Sequence, residues 1–147
     1  MAGDAPALHA RIADAILDAA ADAVIACDRN GAICFWSPGA TRIFGFERAE
    51  AIGKSLDIII PERLQARHWD GFHRMVSSGS SRYPEGHLLS APGRRRDGAQ
   101  ISVEFTVVML KDDGGRIRNI VALMRDVTVR FEEIKALRKR LRESTPG

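Results

Sequence analysis

The chain has 147 residues, the length of one domain, and its 45% apolar and 28% charged content is typical of a globular protein. Its longest apolar runs, such as Ile58-Ile59-Ile60, are too short to span a bilayer, and its first residues do not form a secretory signal. We therefore expect a cytoplasmic domain without membrane contact.

The net charge of +3 is concentrated in 94–96 and 135–142, which lack the aromatic or base-reading partners of a nucleic-acid surface. These charge runs are interpreted as solvated faces, and no nucleic-acid partner is predicted.

The two cysteines are Cys27 and Cys34. Their spacing matches neither a redox CxxC motif nor a zinc site, and two thiols do not make a disulfide framework. Free cysteine packs as a small apolar side chain, so both are interpreted as half-buried thiols on strands.

The first third of the sequence predicts a helix followed by a β-hairpin. The helix is expected over 7–21, because apolar residues recur every fourth position in an alanine-rich segment. Those residues are Leu8, Ile12 and Ile16. Two β-prone runs, 23–28 and 32–36, then flank Asn30-Gly31, which is the strongest short-range signal for a hairpin.

Two short helices are expected after the hairpin. Ser37 is a favourable N-cap and Pro38 suits the first helical position, so the first helix should end near Gly45. A second helical turn is expected over 47–51, before Gly53.

The longest central helix is expected between Pro61, at the first helical position, and Gly79, at its C-terminus. Residues spaced by four share one face of this helix, and that face should point toward the core. They are Leu64, His68, Phe72 and Val76. A buried imidazole needs a hydrogen bond, a metal or a ligand, so the role of His68 is the main functional question of this sequence.

The second half predicts three strands and a terminal helix. A strand broken by prolines is expected over 80–96, and strict alternation over 101–109 predicts a half-buried strand. A returning strand is expected over 117–126 and an amphipathic helix over 128–143. The apolar stripe of that helix consists of Phe131, Ile134, Leu137 and Leu141. Strands paired through tight turns indicate an α+β protein with an antiparallel sheet and helices gathered on one face.

Nothing in the sequence predicts catalysis. The four histidines, at 9, 68, 73 and 87, lie near no nucleophile motif, and Asp113-Gly114-Gly115 is a hairpin turn rather than a phosphate-binding loop. We therefore expect a regulatory domain rather than an enzyme, with any catalysis in another domain or partner.

The order of elements resembles the PAS sensor domain over about residues 14–130. The matching parts are the segment from Asp28 to Phe46, Ile52-Gly53-Lys54, Ile60-Pro61, Arg95-Arg96-Asp97-Gly98 and Arg125-Asp126-Val127-Thr128. The resemblance implies the PAS fold, a five-stranded antiparallel sheet with flanking N- and C-terminal helices. It divides the chain into a flanking helix over 1–21, a PAS core over 22–127, and a signalling helix with its tail over 128–147. Asp126 and Thr128 would join the sheet edge to that helix, a role compatible with capping it.

Within that family, the central segment is most similar to the haem-binding branch of oxygen-sensing kinases and phosphodiesterases. In that branch a histidine on the long helix ligates the haem iron, and His68 matches it. The residues that accompany the match are Gly71, Phe72, Arg74 and Gly79. Counting back from Asp97-Gly98, His87 falls where one group of these sensors has a distal methionine ligand. Leu89 falls where the other group has a distal arginine that binds oxygen.

The resemblance thus implies a haem site with His68 and His87 as candidate metal ligands. Arg74 and Arg82 match basic positions that meet the haem propionates, for which arginine is well suited. The apolar walls would include Leu64, Phe72, Phe105 and Val107. Because Leu89 replaces the arginine, stabilisation of bound oxygen is not expected, and His87 is the candidate for the sixth position.

Other interpretations stay open. His68 can be a hydrogen-bonded core residue, and the domain can bind a flavin, a small metabolite or nothing. A photochemical flavin–thiol domain is disfavoured, because 55–67 contains no cysteine. The two hypotheses are a cofactor-binding sensor of redox or gas-ligand state, and a ligand-free interaction module of a signalling protein such as a histidine kinase. The resemblance also implies a homodimer through the flanking helices, with a kinase, cyclase or regulator as output partner.

Overall fold

The computed structural model describes residues 4–80 and 86–145. Its elements, in chain order, are α1 (Asp4–Asp18), β1 (Ala23–Asp28), β2 (Ile33–Trp36), α2 (Pro38–Phe44), α3 (Arg48–Ala51), a 3₁₀ helix (Leu56–Ile59), α4 (Glu62–Ser78), β3 (Leu89–Arg94), β4 (Gln100–Lys111), β5 (Ile117–Asp126) and α5 (Thr128–Ser144). The α+β class expected from the sequence is confirmed. The 3₁₀ helix is an addition that the sequence patterns did not predict.

The five strands form one antiparallel sheet in the order β2-β1-β5-β4-β3. The two hairpins, β1–β2 and β4–β5, come together because β1 pairs with β5 in the middle of the sheet. This arrangement confirms the predicted five-stranded sheet with flanking helices.

The edge strand β3 is shorter than predicted. The sequence suggested a broken strand over 80–96, whereas β3 runs over Leu89–Arg94 and Pro84 lies outside the described residues. Within the described residues, β3 pairs only with β4. An edge position is where a strand tolerates a residue without a backbone N–H, which explains why Pro92 lies within the strand.

The first helix begins and ends earlier than predicted, at Asp4–Asp18 rather than 7–21. The earlier end is explained by the segment that follows the helix, where the carbonyl oxygens of Ala20 and Ala21 accept hydrogen bonds from the guanidinium of Arg42 on α2. This segment is therefore tied to α2 instead of extending the helix. No helix in the described part of the chain is long and apolar enough to cross a membrane.

The short helices follow the predicted capping pattern. Ser37 is buried, and its hydroxyl accepts hydrogen bonds from the backbone N–H of Ala40, at 3.2 Å, and of Val24, at 2.8 Å. It therefore caps α2 and joins that helix to β1. Gly45 ends α2 with a φ of 86°, a left-handed conformation that favours glycine.

The described part of the chain contains two apolar clusters. The first packs α2, α3 and the 3₁₀ helix against the sheet and includes the fully buried rings of Trp36 and Phe44. The second lies under α4 and consists of the buried residues Cys27, Phe72, Ile117 and Ile120.

The two cysteines differ in burial, so the expectation of two half-buried thiols is wrong. Cys27 is buried in the second cluster, and Cys34 is exposed. Strand pairing passes from Phe35 directly to Ile33, which leaves Cys34 in a bulge without a register partner. Burial raises the pKa of Cys27 to about 12, with smaller contributions from Cys34 and Asp28.

The interpretation of 94–96 as a solvated charge run is wrong for two of its three arginines. Arg95 is half-buried and donates to the carbonyl oxygen of Ile43 at 2.7 Å, and Arg94 donates to that of Asp57 at 3.2 Å. Arg96 is exposed and pairs with Glu50 at 2.9 Å. Arginines at these positions satisfy carbonyl oxygens near helix ends, so the cluster holds the small helices to β3 and the turn that follows it.

Candidate ligand site under the central helix

The central helix α4 lies over the second apolar cluster. Pro61 is its N-cap rather than its first helical residue, so the helix begins one residue later than predicted, and Gly79 ends it with a φ of 72°. The inner face consists of Leu64, Gln65, His68, Trp69, Phe72, Met75 and Val76, which are half-buried or buried. Of the 17 residues of α4, only Phe72 is buried. The inner face of this long helix is therefore only partly covered by protein.

His68 lies in the middle of that inner face and is half-buried. Its Nδ1 atom is buried and has no hydrogen-bond partner among the described residues. The centroid of its ring lies 4.8 Å from that of Trp69, in an edge-on arrangement, and 5.9 Å from that of Phe72. A buried polar nitrogen without a partner costs free energy, so this atom is the unsatisfied polar group of the inner face.

Electrostatics favour the neutral form of this imidazole. Burial lowers the pKa of His68 because it disfavours the charged form, the carboxylate of Asp57 opposes this shift, and His73 adds to it. A neutral imidazole has a lone pair that can accept a hydrogen bond or ligate a metal. The site can therefore receive either a hydrogen-bond donor or a metal ion.

The sequence analysis did not identify Trp69 and Gln65, which lie with His68 on the inner face of α4. The indole N–H of Trp69 donates to the carboxylate of Asp57 at 2.7 Å, and Gln65 donates to the carbonyl oxygen of Ile60 at 3.1 Å. The stripe Gln65, Trp69, Phe72 and Val76 also has helical spacing, so the sequence did contain a signal that the inner face is wider than the fourfold pattern.

The predicted wall residues occupy α4, β3 and β4. Leu64 is half-buried on α4, and Leu89 is half-buried and pairs in register with Phe105. Phe105 packs against the first cluster, and Val107 packs against the second. Their common role as the wall of one pocket stays a prediction.

The predicted polar residues are exposed or lie outside the described residues. Arg74 is exposed and lines a shallow depression together with Asp70, His73, Ser77 and Ser78. His87 is exposed and precedes β3, and Arg82 lies outside the described residues. The proposed contacts of these three residues with a cofactor stay predictions.

The junction between sheet and last helix is closely hydrogen-bonded. The carboxylate of Asp126 accepts from the backbone N–H of Thr128 at 2.9 Å and from its hydroxyl. The hydroxyl oxygen of Thr128 in turn accepts from the N–H of Ser102 on β4, at 3.0 Å. A second bond, from the N–H of Val127 to the carbonyl oxygen of Ser102, at 2.9 Å, holds the same turn. The start of α5 is thus tied to β4.

Three curated relatives have names that describe signalling proteins. The chain is 31% identical over 99 residues to the sensor protein FixL of Bradyrhizobium diazoefficiens, covering 67% of this chain and 19% of FixL. It is 26% identical over 112 residues to the oxygen sensor protein DosP of Escherichia coli, covering 76% of this chain and 14% of DosP. It is 30% identical over 121 residues to the cell-division control histidine kinase PdhS of Brucella ovis, covering 82% of this chain and 11% of PdhS. The chain therefore corresponds to a small part of much longer relatives.

Two solved structures share its fold. The PAS domain of a Colwellia psychrerythraea protein superposes with a TM-score of 0.69 and 17% identity, covering 80% of this chain and 96% of that one. An RNA-binding light-oxygen-voltage receptor superposes with a TM-score of 0.73 and 19% identity, covering 92% of this chain and 38% of the receptor. The family model for the PAS fold matches residues 13–127. The chain therefore belongs to the PAS family and is a sensory module of the kind found in signalling proteins.

Proposed function

We propose that this PAS domain binds haem under α4, with His68 as an iron ligand, and relays redox or gas-ligand state through its flanking helices. The observation that carries the proposal is the buried, unpartnered Nδ1 of His68 on the inner face of α4. The ring belongs to a partly covered apolar face, and burial keeps it neutral, the form that ligates a metal. These residues fit haem, which when bound would supply a redox-active iron able to take diatomic ligands.

The roles of the chain's own residues follow from their chemistry. His68 would hold the iron, and Leu64, Phe72, Phe105, Val107 and Leu89 would exclude water from the apolar parts of the group. Arg74 and Arg82 would pair with its carboxylates at the rim, since arginine forms bidentate bonds with carboxylates. His87 would close the sixth position. Because Leu89 cannot donate a hydrogen bond, redox state or carbon monoxide is a more suitable signal than oxygen.

The test is a titration of haem into the purified protein. We expect near-stoichiometric binding with a shift of the Soret band, which His68→Ala abolishes. His9→Ala is the control, because His9 is an exposed histidine on α1 to which the proposal gives no role, and it should leave the titration unchanged. Wild type and His68→Ala that titrate alike would show that the ligand assignment is wrong.

The state of bound haem tests the role of His87. We expect ferric haem to be six-coordinate and low-spin, without a long-lived oxygen complex. A stable oxygen adduct in the wild type that persists in His87→Ala would contradict this assignment.

The proposed assembly is a homodimer that couples to an output partner. Apolar stripes are exposed on both flanking helices: on α1 the stripe residues are 50–55% exposed, and on α5 they are 40–67% exposed. Exposed stripes of this kind mark interfaces.

The chain matches a small part of PdhS, which is named a histidine kinase, and this supports a kinase as the output partner. A cyclase or regulator is the alternative. The division at 21 and 127 and the cytoplasmic location stay predictions.

A second candidate is a ligand-free interaction module. It is supported by the same exposed stripes on α1 and α5, which need no ligand to form an interface. If the domain does not bind haem, the alternatives are that it binds a flavin or that it binds no cofactor. In the ligand-free case, the purified protein stays colourless when haem is supplied during expression.

A further inference from the structure

The hydrogen bond between Trp69 and Asp57 lies directly beside His68. The indole N–H on α4 donates to the carboxylate of Asp57 in the 3₁₀ helix at 2.7 Å. The indole also packs over Gly31 in the β1–β2 turn, where a Cβ atom would lie 2.1 Å from its ring. One side chain of α4 is therefore held by two other elements.

Hydrogen bonds made by its backbone groups hold Asp57 in place. Its N–H donates to the hydroxyl of Ser55 at 3.1 Å. Its carbonyl oxygen accepts from Arg94 of β3 at 3.2 Å and from Gln65 of α4 at 3.4 Å. The backbone of Asp57, from which the carboxylate extends, is thus held by bonds to three parts of the chain.

The orientation of the His68 ring depends on ring packing. Its buried Nδ1 makes no hydrogen bond within the described residues, so this nitrogen contributes nothing to fixing the ring. The edge-on contact with Trp69, at 4.8 Å and 77°, is the closest ring contact of His68 in the described part of the chain. The contacts that hold the Trp69 indole therefore also orient the His68 imidazole.

We propose that Asp57 and Trp69 are positioning residues for the ligand site: their hydrogen bond holds the indole, and the indole holds the His68 ring toward its ligand. This inference rests on the proposed role of His68 as an iron ligand. A metal-binding imidazole binds well only when neighbouring groups hold its orientation, and loss of such neighbours typically costs about 10–100-fold in metal affinity.

Four variants separate positioning from simple structural support. Trp69→Phe keeps an aromatic ring but removes the N–H donor, and Asp57→Ala removes the acceptor. Asp57→Asn keeps an oxygen acceptor and is the conservative variant. Asp70→Ala is the matched control, because it removes an exposed carboxylate from the same helix next to Trp69.

The first measurement is haem affinity, with the dissociation rate and the ferric spectrum of the complex. We expect Asp57→Ala and Trp69→Phe each to weaken binding roughly tenfold and to change the ferric low-spin spectrum. The double variant should lose about the same factor as either single one, because both changes break one bond. Asp57→Asn and Asp70→Ala should stay within about threefold of the wild type.

The second measurement uses the haem-free protein. Nuclear Overhauser contacts between the ring protons of His68 and the indole protons of Trp69 should be strong in the wild type and in Asp57→Asn. They should weaken at least about twofold in Asp57→Ala, because the indole loses its anchor. Circular dichroism and thermal melting establish that each variant is folded, and Trp69→Phe and Asp57→Asn keep the test valid if Asp57→Ala does not fold.

The outcomes separate this inference from the proposed function. If haem binds through His68 but Asp57→Ala and Trp69→Phe bind it with unchanged affinity and spectrum, the positioning role is overturned and the proposed function stands. Ring contacts that persist unchanged in Asp57→Ala also overturn it. If His68→Ala binds haem like the wild type, the proposed function fails and the inference fails with it.

Discussion

Arg95 is a basic residue whose role is internal to the fold. It is half-buried and donates to the carbonyl oxygen of Ile43 at 2.7 Å, near the end of α2, whereas its neighbour Arg96 makes an exposed pair with Glu50. We expect Arg95→Ala to lower the free energy of unfolding by about 1.5–3 kcal/mol, the usual contribution of a hydrogen bond to a charged group. Arg96→Ala, the matched control, should cost about 0–1 kcal/mol. Urea unfolding measures both, and equal effects would contradict this account.

Cys27 and Cys34 are expected to differ in reactivity. The thiolate is the reactive form, and burial raises the pKa of Cys27 to about 12, while Cys34 is exposed. At pH 8, we expect iodoacetamide to label one thiol per folded chain, identified as Cys34 by mass spectrometry, and both thiols in urea. Cys34→Ser should abolish labelling of the folded protein. Equal labelling of both thiols in the folded chain would contradict the burial of Cys27.

The raised pKa of Cys27 also gives stability a dependence on pH. Above the ordinary value of 9.0, the thiol ionises in the unfolded chain, whereas in the folded chain it stays protonated until about pH 12. The unfolded state then binds fewer protons, so the contribution of Cys27 to stability is lost as pH rises through this range.

At the scale of elements, one hydroxyl makes two of the hydrogen bonds that hold the junction of β5 and α5. Thr128 donates to Asp126 and accepts from the N–H of Ser102. We expect Thr128→Val to lower the free energy of unfolding by about 1–3 kcal/mol, because the N–H of Ser102 loses its partner. The amides of the first turn of α5 should also exchange faster with deuterium. Thr145→Val, near the exposed end of α5, is the control and should change neither quantity. Unchanged exchange in Thr128→Val would mean that this contact does not anchor the helix.

Elements with strong local signals were predictable from the sequence. The Asn30-Gly31 hairpin, the alternation in β4 and the Ser37 cap each depend on a few neighbouring residues. The end of α1 was not predictable, because it depends on Arg42, which is 21 and 22 residues away from the two carbonyls that it binds. Likewise, the length of β3 depends on its pairing with β4 at the sheet edge.

The candidate site was predictable in part. The helical spacing identified the face that carries His68, but the sequence did not reveal that Nδ1 lacks a partner. It also missed Trp69 and Asp57, which are brought together by the turn between the 3₁₀ helix and α4. Long-range hydrogen bonds of side chains leave no periodic signal in the sequence.

At the scale of the whole molecule, the exposed stripes predict a dimer. No residue of α5 is buried, and the stripes on α1 and α5 would be covered by the same helices of a second copy, the commonest closed arrangement. We expect sedimentation at micromolar concentration to show a dimer, and Leu8→Glu/Ile12→Glu and Ile134→Glu/Leu141→Glu to convert it to a monomer. Asp14→Ala/Glu133→Ala is the control, since it changes exposed polar positions on the same two helices. A wild type that is monomeric at every concentration would contradict the dimer.

The most direct test of the central claim is the rescue of a His68→Gly variant by free imidazole. Removing the side chain leaves a space that imidazole can enter, so the external ligand replaces the missing one. We expect haem added to His68→Gly to lack the wild-type spectrum, and millimolar imidazole to restore it, while His9→Gly, a change at an exposed histidine on α1, shows the wild-type spectrum throughout. A His68→Gly protein with the wild-type spectrum before imidazole is added would contradict the assignment of His68 as the iron ligand.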